Sequence, residues 1–355
     1  MSMAALKLKM PSEKDLIAAI RARARGGSHE LRLGIGDDCA IVRPAKGDEI
    51  VVTTDFSLEG VHFRRDWHTP ESVGHRCLAR GLSDVAAMGA RPVAAFLSLA
   101  VPRELLVARR GKSWVDRFFD GWMALANLYG VSLAGGDTAR APDRDARGKK
   151  DAGSACFDIV LLGGVKRGRA LLRSGAKAGD SIYVTGALGG AAAELLAVGR
   201  NPRRFAGLTR AVEGHPHFYP KPRLDVARKL AAVKGIHAAI DVSDGLSTDL
   251  SYVCEESGVS AELDAGAIPV HRLAVEAERA GWVSSTLELA LNGGDDYELL
   301  FTASAEARVP RKIAGVEVHR IGRMVSRRAR RARMSLRDED GRVTAVEARG
   351  WEHFR

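Results

Sequence analysis

Six short segments place one or two carboxylates at the mouth of an apolar run: GIGDDCAIV, VVTTDFSLEGVHF, GLSDVAAMGA, LAGGDT, AIDVSDGL and NGGDDYELLFT. Four of them follow short, β-rich apolar stretches and are expected to present acids at strand ends, where α/β proteins gather ligands. Aspartate beside glycine also marks ordinary turns and helix caps, so one such segment alone says little and the weight lies in the set. Asp37, Asp38, Asp55, Asp84, Asp137, Asp241, Asp244, Asp295 and Asp296 would repel one another in a shared cleft unless hard cations neutralised them. Mg²⁺ is the natural counter-charge for such a set, and a polyphosphate the expected ligand.

With 355 residues and 46% hydrophobic content, the chain can bury a substantial core and is expected to form two domains. No run approaches the roughly 20 apolar residues that cross a bilayer, and MSMAALKLKMPSEKDL has too short an apolar stretch for a secretory signal. The expectation is a soluble, cytoplasmic protein with no membrane partner. Cys39, Cys77, Cys156 and Cys254 form no CxxC pair, so each is expected to act as a small buried hydrophobe. Cys39 adjoins two acids, the wrong surroundings for a nucleophilic thiolate. The net charge of +10 draws anions in general. Much of it sits in RRARRAR, at Arg327, Arg328, Arg330, Arg331 and Arg333, far from the acidic segments and without interleaved aromatics. A solvated loop or hairpin fits that segment better than a nucleic-acid patch.

Leu16, Ile17 and Ile20 give Glu13 to Ala24 a helical spacing, ended by Gly26 and Gly27. LRLGIGDDCAIV, EIVVTTDF and PVAAFLSLAV read as strands, with a helix from Glu71 to Met88 ending at Gly89. Glu104 to Leu128 forms a long amphipathic pattern with Trp114, Phe118, Trp122 and Leu125 on one face, closed by Gly130. After VSLA, the charged stretch from Ala141 to Gly153 reads as a loop before the strand CFDIVLLGGV, which closes the first domain. The pattern then restarts with the strand SIYVTG, the helices GGAAAELLAVG and RLDVARKLAAV, and the strand AAIDVS. Gly186, Gly189 and Gly190 leave backbone N–H groups at a helix start that can hold an anion, although no Walker pattern is present.

At GIGDDCA, TTDFSLEGVHF, SDVAAMGA, GGDT, LRSGAKAGD, DVSDGL, GGDDYELLF and GWEHF, taken in order from about Leu33 to Phe354, the chain resembles the thiamine-monophosphate kinases of the aminoimidazole ribonucleotide synthetase-like superfamily. The resemblance implies a two-domain α/β (α+β) fold. Residues 1–165 would form an N-terminal ATP- and Mg²⁺-binding dimerisation domain whose strands join a second subunit's in an intersubunit β-barrel. Residues 166–355 would form a C-terminal α/β domain completing the site. It also implies a homodimer that moves the γ-phosphoryl group of ATP to thiamine monophosphate, giving thiamine diphosphate, the final step in making that compound.

Carried over by position, the resemblance implies Asp38, Thr53, Thr54, Asp55, Asp84, Asp137, Asp241 and Asp244 as ligands of several Mg²⁺ ions, with Asp37 a weaker candidate. It implies Gly136, Arg173 and Ser243 at ATP, and His62, Asp295 and Trp351 at thiamine monophosphate. An arginine fork suits phosphate, and an aromatic face near a carboxylate suits a cationic thiazolium. Joining two phosphates calls for charge cancellation and alignment more than for a base, so no catalytic side chain is assigned. The chain departs from the family's usual GGEDYEL, since Asp295 stands where glutamate is expected: charge is kept and reach shortens by one methylene. An ATP-dependent purine-pathway cyclase of the same superfamily is the nearest alternative, and EGVHF and GWEHF favour the kinase. A nucleic-acid-binding scaffold is disfavoured because the acids would repel a phosphate backbone.

Overall fold

The computed structural model describes residues 12–24, 28–108, 111–142, 153–327 and 332–354. Gly26 and Gly27, residues 143–152 of the charged stretch, and Arg328, Arg330 and Arg331 lie outside the described residues. The first half runs α1 (Glu13–Arg23), β1 (Leu31–Leu33), β2 (Ile41–Val42), β3 (Asp48–Leu58), α2 (Pro70–Ala87), β4 (Arg91–Val101), α3 (Trp114–Tyr129), β5 (Ser132–Gly135), β6 (Thr138–Arg140) and β7 (Cys156–Lys166). The second runs β8 (Ser181–Thr185), α4 (Gly190–Arg200), α5 (Leu224–Leu230), β9 (Ile236–Val242), α6 (Leu246–Glu256), β10 (Val259–Asp264), α7 (Arg272–Arg279), α8 (Thr286–Asn292), β11 (Glu298–Ala303), β12 (Lys312–Ile313), β13 (Val316–Ser326), β14 (Met334–Arg337) and β15 (Val343–Val346).

Two larger sheets result. The first has the order β3-β7-β4-β5, with β6 also on β4, and β3 at its edge. The second has the order β15-β14-β10-β13-β8-β11-β9, with β12 on β13. Between them lies α2, which touches β3, β4 and β7 on one side and β9, β11 and α5 on the other. Its burial is nearly complete, and its start is fixed by the Thr69 hydroxyl, which caps Ser72 N–H, and by Pro70 at the first helical position. One apolar cluster accordingly runs through both halves, from Leu78 and Leu82 of α2 to Leu299 and Phe301 of β11. The aromatic face of α3 belongs to the same core, with Phe118 stacked on Phe157 at 4.2 Å between ring centroids.

Several sequence expectations need correction. LRLGIGDDCAIV is not one strand but two short ones separated by the Asp37–Asp38 turn, because glycine and paired acids interrupt the run. The helix expected from Glu104 starts at Trp114 instead, where Ser113 and Asp116 form a capping box; Arg103–Leu106 is a separate 3₁₀ turn. Acids at strand ends is only partly right, since Asp55 lies inside β3; Asp84 lies in α2, within the helix expected over Glu71 to Met88. Cys77 and Cys254 are buried as expected, whereas Cys156 is half-buried and Cys39 exposed.

Candidate active site

A cavity of about 1430 Å³ opens between the two sheets. Its walls include Asp55, Asp84, Asp241, Ser243, Asp244, Asp295, His62 and Trp351, residues that are scattered along the sequence. Strand alternation aims the first of these: Thr53, Asp55 and Ser57 pair with the buried Leu161, Ile159 and Phe157 of β7, so they face α2. From α2, Asp84 meets the Thr53 hydroxyl, which donates to it, and Ser83 Oγ donates to Asp241 at 2.6 Å. Asp241 arrives from the end of β9, and the following turn carries Ser243 and Asp244. That turn is held by Asp249, whose carboxylate accepts the N–H groups of Ser243, Asp244 and Gly245 at 3.0 to 3.2 Å.

Burial pushes the Asp55 and Asp241 carboxyls well above the usual range, and the nearby Asp84 charge adds to both. Asp84 is raised chiefly by burial, and so is Asp244. Acids that resist ionising together gain from a cation. Among the described residues no three His, Cys, Asp or Glu side chains are already drawn into one metal-ligand group. Mg²⁺ keeps several waters and takes a few carboxylates plus substrate phosphates rather than a protein cage. The donors are hard carboxylate oxygens, so the residues present fit this ion.

The other end of the cavity is built differently. Asp295 sits in a left-handed conformation, φ 66°, with its N–H bonded to Ser243 O at 2.8 Å. Its carboxylate takes Arg76 Nη2 at 3.0 Å and Tyr297 Oη at 2.7 Å. Burial works against ionisation here, but Arg76, then His217 and Arg80, outweigh it and hold Asp295 well below the ordinary carboxylate value. His62 accepts Leu58 N–H at Nδ1 (3.0 Å), and burial lowers its pKa to about 4, so the ring is neutral. The C-terminal GWEHF is pinned over the cavity by Gly350 N–H on Thr248 Oγ1 and Trp351 N–H on Asp244 O, both 3.0 Å. A Cβ on Gly350 would lie 2.1 Å from Asp244 O, so this close pass requires glycine.

Not every candidate converges. Asp37, Asp38 and Asp137 are exposed and do not line the cavity. Thr54 projects from the sheet face opposite Asp55, and Thr53 is engaged with Asp84. Arg173 lies outside the lining, with its guanidinium 5.7 Å from the Tyr252 ring, yet its charge acts on Asp84 and Asp244. Gly136 has a local reason for its identity, because at φ 148° a Cβ would lie 1.9 Å from Leu97 O. The N–H groups at the start of α4 are taken up by the chain's own Asp296 carboxyl, which accepts Gly189 N–H at 2.6 Å and Ala191 N–H at 3.2 Å. Sequence reading missed Arg76 and Arg80. Their signal was in α2, where Arg76, Arg80 and Asp84 recur every fourth position on a helix otherwise bound for the core.

Two sheets bridged by a buried helix, with acids at one end of the intervening cavity and a carboxylate–arginine lip at the other, define a class. Residues 36–164 match the family model for the AIR synthase related protein N-terminal domain, and residues 177–334 match that for the C-terminal domain. Within that class the chain is 37% identical over 291 residues to a thiamine-monophosphate kinase of Salmonella typhimurium, covering 82% of each chain. It is 33% identical over 350 residues to that of Bacillus subtilis, covering 97% of this chain and 99% of the relative. The crystal structure of a thiamine-monophosphate kinase from Stenotrophomonas maltophilia K279a superposes with a TM-score of 0.70 at 35% identity, covering 92% of this chain and 96% of that one. A structure of AaThiL complexed with AMPPCP and TMP superposes at 0.69 with 29% identity, covering all of both chains. The chain belongs to the thiamine-monophosphate kinase family.

Proposed function

We propose that this chain transfers the γ-phosphoryl group of ATP to the phosphate of thiamine monophosphate, releasing thiamine diphosphate and ADP. The observation that carries the reading is the single cavity joining the raised acids Asp55, Asp84 and Asp241 to the ionised Asp295 beside His62 and Trp351. The relative whose structure holds AMPPCP and TMP together supports it. Asp55, Asp84, Asp241 and Asp244 would hold Mg²⁺; Asp38 and Asp137, which do not line this cavity, and Thr54, on the opposite face of β3, are left out of this set. Mg²⁺ bound there supplies charge cancellation on the triphosphate and on the oxygens being exchanged.

The chain's own residues do the rest. Ser243 and Arg173 are assigned to the nucleotide, Arg173 because its charge acts on both Asp84 and Asp244. Asp295 faces the cationic thiazolium with a full negative charge, and Trp351 offers it a ring face. His62, neutral and tied to Leu58 N–H through Nδ1, shapes the pocket rather than moving a proton. No base is required, since the attacking phosphate oxygen is already ionised and the difficulty lies in bringing two anions into line. We assign the enzyme to the cytoplasm; among the described residues no helix is long and apolar enough to cross a membrane.

Incubating the protein with ATP, Mg²⁺ and thiamine monophosphate tests this directly. Thiamine diphosphate should form in a one-to-one ratio with ADP, and free thiamine, which has no phosphate to attack with, should give neither. ADP release without thiamine diphosphate would overturn the assignment, and EDTA should stop turnover.

A further inference from the structure

Three side chains from one face of α2, at positions 76, 80 and 84, look into the cavity region, and their bonding differs sharply. Arg76 is buried and fully used: it donates to His217 O, to His62 O at 3.3 Å and to Asp295 at 3.0 Å. Asp84 belongs with the acids. Arg80, between them, lines the cavity with most of its side chain buried, yet among the described residues its hydrogen bonding amounts to one long contact, Nη2 to Asp55 Oδ1 at 3.4 Å. Its Nε is buried without any partner. Among the described residues, the other buried polar side-chain atoms left in that state are Trp122 Nε1 and Thr302 Oγ1, neither of which lines the cavity.

A guanidinium out of water with an orphaned N–H costs stability that ordinary packing does not return. What would complete it is an anion with several oxygens, and the planar fork of arginine matches phosphate at two points at once. Position selects which phosphate. Arg80 interacts with Tyr297, Asp55 and Asp295, and its charge reaches His62, so it stands toward the lip assigned to thiamine. Arg80 also acts on Asp84 and Asp244, so it stands where that lip meets the acids, whereas Arg173 lies outside the lining with its guanidinium 5.7 Å from the Tyr252 ring.

We propose that Arg80 clamps the phosphate of thiamine monophosphate through its Nε and Nη atoms, holding the acceptor between the thiazolium lip and the acids. This assignment rests on the kinase reading. It gives the site a positive charge at the point where the acceptor dianion meets the donor's phosphates, the repulsion that most opposes this reaction. It also divides the labour along α2: Arg76 positions Asp295, and Arg80 binds substrate.

Equilibrium titration in Mg²⁺ without ATP separates a phosphate clamp from a structural arginine. Wild-type protein should bind thiamine monophosphate more tightly than thiamine. Arg80→Met should weaken thiamine monophosphate ~10- to 100-fold while leaving thiamine within about twofold, and Arg80→Lys should fall between, because a lone ammonium keeps charge but loses the fork. Equal weakening of both ligands, or no change in either, would overturn the clamp, as would a wild type that does not distinguish the two. The melting temperature of Arg80→Lys guards against a misfolded Met variant. If wild type discriminates the ligands through Arg80 but makes no thiamine diphosphate when ATP is added, the kinase reading fails and the clamp stands.

Discussion

Asp55, Asp84 and Asp241 come from a strand, a helix and a second sheet; each ionises against burial, and Asp55 and Asp241 against the Asp84 charge as well. Asp55→Asn should therefore lower kcat by at least ~100-fold, on the order of 3 kcal/mol of barrier, with a melting temperature equal to or above wild type because one repelling charge is gone. An ADP-release assay beside a thermal melt checks both halves, and full activity would remove Asp55 from the site. Buried histidines predict a pH effect of definite sign. His68 and His75 are buried and held to about 4 by burial, against an ordinary 6.5. At these two sites the unfolded chain therefore binds more protons between those values, so their contribution to stability is full above about pH 6.5 and falls toward pH 4, by up to about 3 kcal/mol for each ring. The raised carboxyls of Asp55 and Asp241 act in the opposite direction over the same range, so chemical denaturation of wild type is compared with that of His75→Gln, and a variant that loses as much stability on acidification as wild type would contradict the assignment. Asp55, Asp84 and Asp241 were legible in the sequence as members of the six acidic segments. Asp37, Asp38 and Asp137 carried the same signature without reaching the cavity, since a local motif specifies a turn and not where the turn is delivered.

At the scale of elements, α2 organises the molecule, and its functional face was the part least visible beforehand. The sequence pattern located it as Glu71 to Met88, close to the observed Pro70–Ala87, but a helix packed between two sheets is apolar on nearly every side, so no stripe singled out positions 76, 80 and 84. Strand β3 was more readable, because period-two alternation alone decides that Asp55 and Thr54 point to opposite faces. The C-terminal GWEHF could be read as a motif but not as a lid, since what ties it down is Gly350 pressed against Asp244 O. Gly350→Ala should push that segment off the cavity and raise the KM for thiamine monophosphate about 10-fold, with the KM for ATP much less affected, and Trp351→Ala should do the same by removing the ring. Steady-state titration of each substrate checks the pair. Equal effects on both KM values would mean that the segment serves the nucleotide as well.

The whole molecule leaves one surface unfinished. Strand β3 is an 11-residue edge strand that, among the described residues, pairs with β7 alone, and long exposed edges of this kind pair with another chain unless something covers them. Register puts Val52, Thr54 and Phe56 on the face away from α2, and Val52 and Phe56 remain 61% and 56% exposed. Beside them on that face, Leu31 and Val42 of the small β1–β2 ribbon already pack on Val93, Ala94 and Ala134, so only part of the surface is covered. A second copy of the chain presenting the same strand would cover the rest, and this is the homodimer we propose; one chain alone supplies an open sheet, and any barrel would need the partner's strands. Wild-type protein should therefore sediment at twice the mass of the chain. The double variant Val52→Lys, Phe56→Lys should sediment at the single mass while keeping its circular dichroism, because the substituted side chains point away from the α2 core that Thr53, Asp55 and Ser57 face. A wild type that stays monomeric at micromolar concentration would show that the strand is covered in another way. A double variant that stays dimeric would move the interface elsewhere on the molecule.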